Sequence, residues 1–171
     1  MPEKYLGGIG DKGIEALKEW VRQGGRLVLM GESCMLAIEK FERFPAVNVL
    51  KDVPRTEFFA PGSLLAVDVD TSQPLGLGMP KKASVLFAQS PVFRLKPYMQ
   101  PHAAVVTYAE HDILQSGYMI GESKIAGLTA VADVPYGKGR VILLGPRVQN
   151  RAQTWGTFKL LFNAVYYTEM K

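Results

Sequence analysis

Cysteine and histidine are nearly absent from this sequence. A single cysteine, Cys34, excludes an internal disulfide framework and a thiolate-rich metal site. The two histidines, His102 and His111, stand in QPHAAVV and AEHDILQ. Neither has the His-x-x-Glu spacing that places two ligands on one zinc ion, so no metal and no other cofactor is expected. No apolar run approaches the ~20 residues that cross a bilayer. The opening MPEKYLGGIG lacks the apolar core of an export signal. Clustered basic charge is missing as well. Lysine and arginine number 20 against 16 acidic residues, for a net charge of +4, but Lys81-Lys82 is the only adjacent basic pair. A nucleic-acid footprint needs its basic residues along one stripe, with aromatics between them. Neither a nucleic-acid nor a membrane partner is therefore expected.

What is present describes one globular domain. The 171 residues suffice for a real core, and 47% hydrophobic against 21% charged residues is the balance of a soluble fold. A helix is predicted from about Asp11 to Gln23, with Ile14, Leu17, Trp20 and Val21 on one face and Asp11 as its cap. Gly24-Gly25 stops it. Arg26 to Met30 then reads as a buried strand, and Ser33 as the cap of a second helix running to about Phe41. Eight prolines between Pro45 and Pro101 make long helices improbable in the middle. SLLAVDVD, residues 63 to 70, alternates as a strand does. SVLFA (84 to 88) and AAVVTYA (103 to 109) are further strand candidates. LTAVADV (128 to 134) and RVILLG (140 to 145) flank a glycine-bearing turn and read as a hairpin. A last helix, 154 to 167, carries Trp155, Phe158, Phe162 and Val165 on a stripe expected to lie on the sheet.

An ordered set of phrases carries a family resemblance over almost the whole chain. They are GGIG (7 to 10), GGRLVLMGES (24 to 33), FFAPGSLLAVDVD (58 to 70), PLGLGMP (74 to 80), SGYMIGE (116 to 122) and GKGRVILLGPRVQNRAQTWGTFKLLFNA (137 to 164). Together they resemble the class I glutamine-amidotransferase-like domain found C-terminal to the catalytic domain of bacterial zinc carboxypeptidase-like proteins, in the carboxypeptidase A clan. The resemblance implies an α/β, flavodoxin-like three-layer sandwich, with a mostly parallel sheet and an antiparallel hairpin near the C-terminus. It implies a single domain over 1–171, the C-terminal part of a larger protein whose upstream peptidase domain would be its partner. The chain opens directly into a helix, where a doubly wound sheet normally begins with a strand, and this fits the same expectation. The location would be periplasmic or extracellular if that parent is exported.

In amidotransferase-like domains a nucleophilic cysteine sits at the strand-to-helix elbow. Here the elbow position is Gly31, and Cys34 lies three residues further on. The triad's histidine, followed closely by an acid, has no counterpart in Gly145-Pro146-Arg147-Val148-Gln149-Asn150. His111-Asp112 comes before the hairpin, in the wrong part of the topology. Cys34 beside Met35, Leu36 and Ile38 reads as a small buried hydrophobe. The leading expectation is thus a non-catalytic accessory domain used for binding, docking or structure. One alternative is a small hydrolase or amidotransferase-like enzyme using Cys34, with His102 or His111 as base. Another is a stand-alone anion- or ligand-binding module around Arg151.

Should a vestigial pocket survive, Glu32, Ser33, Arg151 and Gln153 are expected to line it, with Glu32 and Arg151 as an ion pair. Ser33 also lies in Gly-Glu-Ser, but Met35 replaces the second glycine of a serine elbow, which leaves the capping role. Tyr118 and Glu122, between glycines, read as a structural loop. Phe58-Phe59 reads as a loop packed on the core.

Overall fold

The computed structural model describes residue 2, residues 7–100 and residues 102–166. Three α-helices, α1 (Gly10–Arg22), α2 (Met35–Lys40) and α3 (Phe158–Tyr166), accompany nine strands among these residues. The strands are β1 (Arg26–Met30), β2 (Ala46–Asn48), β3 (Ser63–Val69), β4 (Lys82–Phe87), β5 (Phe93–Leu95), β6 (Ala104–Tyr108), β7 (Leu114–Ser116), β8 (Thr129–Tyr136) and β9 (Gly139–Leu144). They form one sheet of main order β1-β9-β8-β6-β3-β4, with β5 beside β8, β2 beside β5 and β7 beside β3.

The expected mixed α/β class holds, but the mostly parallel sheet does not. Only β1 and β9 run parallel, in register Arg26 to Arg140 through Met30 to Leu144. The other pairings are antiparallel. A parallel neighbour needs a crossover of a dozen or more residues, usually a helix. The proline-punctuated middle offers no such helix, so its strands fold back on one another. Three of them, β2, β5 and β7, are three-residue strands that carry no alternation long enough to read from sequence.

Helices cover both sides of the sheet. Val21 of α1, and Cys34 and Ala37 around α2, share one apolar cluster with Ala132, Val134, Val141 and Leu143. Leu160 and Ala164 of α3 belong to the other, with Val67, Val106, Ile142 and Leu144. In β3 the sequence alternation becomes structure directly, Ser63, Leu65, Val67 and Val69 being buried and the residues between them half-exposed. Helix α1 starts at Gly10, so Asp11 lies in its first turn and does not cap it.

Helix α3 corrects a second expectation. Its aromatic stripe does not lie on the sheet: Trp155 is 76% and Phe162 55% exposed, whereas Leu160 and Ala164 are fully buried. Two polar side chains set this rotation. The Thr157 hydroxyl donates to the Val148 carbonyl at 2.8 Å, and Asn163 Nδ2 donates to the carbonyls of Leu75 and Leu77 at 2.9 and 3.0 Å. The helix is apolar on two faces, and these bonds select the narrower aliphatic one for the core. Tyr167, the last residue expected in this helix, lies outside the described residues.

At its outer edge α1 is tied down by charge. Lys18, its side chain only 5% exposed, donates to Glu15 at 2.6 Å and to Glu42 at 2.7 Å. Glu42 also accepts from Arg22 at 2.8 Å and from the Tyr136 hydroxyl at 3.0 Å. These bonds hold the Glu42 carboxyl at about 2, well below the ordinary range, the Lys18 ammonium contributing most.

Candidate functional site

The elbow is built as its sequence suggests. Strand β1 ends at Met30, and Gly31, at φ +55°, turns the chain through the left-handed region that glycine enters without penalty. A 3-10 turn over Gly31–Cys34 leads into α2. Ser33 does not cap α2, whose N-cap is Cys34; its hydroxyl reaches back instead, accepting from the Met30 N–H at 2.8 Å and donating to the Met30 carbonyl at 2.9 Å.

Cys34 points away from solvent. It is fully buried, and its thiol contacts the Leu29 carbonyl at 3.4 Å. Burial pushes that thiol up to about 12, because the thiolate would lose its hydration in an apolar cluster. Among the described residues no hydrogen bond joins it to a histidine. His111 lines a separate cleft of about 450 Å³, with Asp68, Lys82, Asp112 and Gln115. His102 is exposed in the turn before β6 and lines neither cleft. Among the described residues there is also no group of three or more histidine, cysteine, aspartate or glutamate side chains placed to hold a metal ion. None of the described helices is long and apolar enough to cross a membrane.

Beside the elbow lies a larger cleft of about 610 Å³. It opens where β1, β9 and β4 end, the edge at which α/β sheets characteristically place ligands. Glu32 enters it from the elbow and Arg147 from the loop after β9. The turn Ala88 to Pro91 after β4 supplies another wall, and the segment Asn48 to Pro61 the rest, with Arg55, Phe58 and Phe59. Each wall is held by specific bonds. The Asn48 side-chain carbonyl accepts from the N–H groups of Leu50 and Val92, both at 3.1 Å. Ser90 Oγ accepts from the Ala88 N–H at 3.3 Å, while Gln89 between them is held at φ +53°. Phe58 packs edge-on against Phe87, centroids 5.5 Å apart.

The two arginines are positioned by neutral groups. Arg147 Nε donates to the Ala88 carbonyl at 3.2 Å, and its own N–H donates to the Leu86 carbonyl at 3.1 Å. The Arg55 guanidinium lies 5.8 Å from the centre of the Phe59 ring. Neither makes an ion pair among the described residues, with Glu32 or with any other acid.

Of the four expected lining residues, the structure therefore brings only Glu32 to this cleft. Arg151 and Gln153 are exposed, outside its walls, and the ion pair between Glu32 and Arg151 does not form among the described residues. The bond from Arg147 to β4 aims that residue at the cleft. The chain then turns away through left-handed conformations at Arg151, Ala152 and Thr154 on its way to α3. Arg55 and Ser90 sit in irregular segments and Asn48 ends the three-residue strand β2, so none of them carries a periodicity that the sequence shows. The pair Phe58-Phe59 was their one legible neighbour. Tyr118 and Glu122 are structural: Ser63 Oγ donates to the Tyr118 carbonyl at 2.6 Å and accepts from its N–H at 3.0 Å, and Glu122 accepts from the Ile113 N–H.

No protein-family model matches this sequence, and no curated protein matches it. Solved structures do resemble the fold. A ThuA-like protein from Parabacteroides merdae superposes with a TM-score of 0.53 at 14% identity, over 91% of this chain and 64% of that one. A cytoplasmic protein from Salmonella typhimurium gives 0.53 at 16% identity, over 94% of this chain and 62% of its own. A β-galactosidase from Bacillus circulans sp. alkalophilus reaches 0.48 at 14% identity, and there this chain spans only 20% of the enzyme's length. At such identities the first two likenesses establish a shared α/β fold and leave activity to be argued from the site itself.

Proposed function

We propose that this chain is a non-catalytic, glutamine-amidotransferase-like accessory domain of a zinc carboxypeptidase-like protein, a binding or docking module with an upstream peptidase domain as partner. In this reading the fold is a flavodoxin-like sandwich in which hairpins replace much of the parallel sheet, and the β1–β9 pair with its elbow is the part retained. The ordered sequence phrases support the peptidase association. The likeness to a ThuA-like protein, whose fold is of the glutamine-amidotransferase type, supports the domain type.

The observation that carries the non-catalytic reading is the state of Cys34. A nucleophilic thiol must be ionised and reachable, with a base beside it. This one is buried, raised to about 12, bonded to the Leu29 carbonyl of β1 and joined to no histidine by a hydrogen bond among the described residues. At pH 8 a thiol of that acidity is roughly 10⁻⁴ ionised, whereas an ordinary thiol near 8.5 is about a quarter ionised. Alkylation of the folded protein by iodoacetamide across pH 6–10 tests this directly, with the urea-unfolded chain as reference. The expected result is a rate at least a thousandfold below the reference at pH 8. Rapid labelling with a midpoint near or below 8 would return the enzyme reading.

A further inference from the structure

We infer that the elbow cleft binds a small oxyanion, carboxylate or phosphate, carried on an apolar ring, with Arg147 and Arg55 holding the anion and the phenylalanine wall holding the ring. The inference rests on reading this cleft as a binding site, and it goes beyond that reading by naming ligand class and residues. Glu32 is the one acid in the lining, against two guanidiniums, and no ion pair joins any of the three to the described residues. The lining therefore carries a net charge of +1, a field that favours an anion in the cleft.

Geometry selects the kind of anion. Arg147 uses Nε on the Ala88 carbonyl, which fixes its plane and leaves both terminal nitrogens without a protein acceptor among the described residues. That fork matches two oxygens of a carboxylate or phosphate, a match lysine cannot make. Arg55 lies over Phe59, lines the cleft and makes no ion pair among the described residues. Leu50, Val53, Phe58, Pro61, Phe87 and Pro91 give the rest of the wall an apolar part, beside the polar Asn48, Gln89 and Ser90. Phe58 and Phe87, buried and packed edge-on, give the cleft a fixed apolar floor against which a flat body can lie. Gln89, held left-handed at the rim, is the kind of local strain that persists where surrounding structure over-determines a binding wall.

The test uses calorimetric titration of the whole chain with benzoate, phenyl phosphate, inorganic phosphate and the neutral benzamide. Binding of benzoate or phenyl phosphate is expected, at least tenfold tighter than benzamide or inorganic phosphate, and the tighter of the two identifies the oxyanion. Arg147→Met and Arg55→Met should each weaken it at least tenfold, and Arg151→Met should leave it unchanged. Should Arg147→Met unfold, Arg147→Lys keeps the charge but not the fork, and should still weaken binding several-fold. Equal affinity for benzamide, no binding of either ring anion at 10 mM, or loss of binding in Arg151→Met alone would each overturn the assignment. The Cys34 labelling experiment reads a different group, so a reactive thiol with intact anion binding would sink the non-catalytic reading and leave this one standing.

Discussion

The rotation of α3 makes a sharp prediction, since its two apolar faces are told apart by single substitutions. Leu160 is fully buried against the sheet, and Phe162, two residues on, is more than half exposed. Truncating a buried leucine to alanine removes its transfer free energy and leaves a cavity, for a loss of about 2–5 kcal/mol. Phenylalanine and serine have similar helix propensities, so Phe162→Ser at an exposed site should cost about 0.5 kcal/mol or less. With a urea slope of about 2 kcal/mol per molar for a chain of this size, Leu160→Ala lowers the denaturation midpoint by about 1–2.5 M. Phe162→Ser shifts it by no more than about 0.3 M on the same slope. Asn163→Ala should fall between them, because it frees the Leu75 and Leu77 carbonyls at a partly exposed site. The assay is equilibrium unfolding followed by far-ultraviolet circular dichroism, with the slope checked for constancy. If Phe162→Ser costs as much as Leu160→Ala, the aromatic stripe is the core face after all and the rotation argued from Thr157 and Asn163 is wrong.

Glu42 predicts an acid limb in stability. Its carboxyl is held at about 2 when folded and near 4.5 when free, so its contribution is complete above pH 4.5 and is lost as pH falls toward 2. Melting temperatures measured between pH 2 and 6 should fall less steeply in Glu42→Gln than in the parent, and parallel curves would refute the assignment. Gly139→Ala should rank near the upper end of the ~0.5–3 kcal/mol range of point substitutions, because a Cβ there meets the backbone carbonyls of Val21 and Gly25. An unchanged urea midpoint for that variant would show that the hairpin does not press on the α1–β1 turn in solution.

The elements legible in the sequence were those whose partners impose a period. β3 is buried on one face and shows it by alternation; β8 and β9 flank a glycine turn; β1 follows a diglycine stop. Strand direction was legible only in the β8–β9 hairpin; elsewhere it depends on how the middle segments connect, and their prolines exclude helices without naming what replaces them. α3 misled because both of its faces are apolar, and hydrogen bonds to residues 75, 77 and 148 choose between them. The elbow could be read to the residue. The cleft beside it could not, since Asn48, Arg55, Ser90 and Arg147 converge from three separate segments only once the sheet is assembled.

The single parallel pair also sets a clock on biosynthesis. Arg26 finds Arg140, its partner in β9, 114 residues later in the sequence. At 5–20 residues per second of translation, β1 waits roughly 6–23 s for the strand that flanks it. During that interval the apolar LVLM edge and the thiol of Cys34 have no cover from β9. The half-made chain is therefore the form in which this cysteine is open to oxidants and this strand to the edges of other nascent proteins. That exposure of β1 and Cys34 during synthesis follows from where one strand lies in the order of translation.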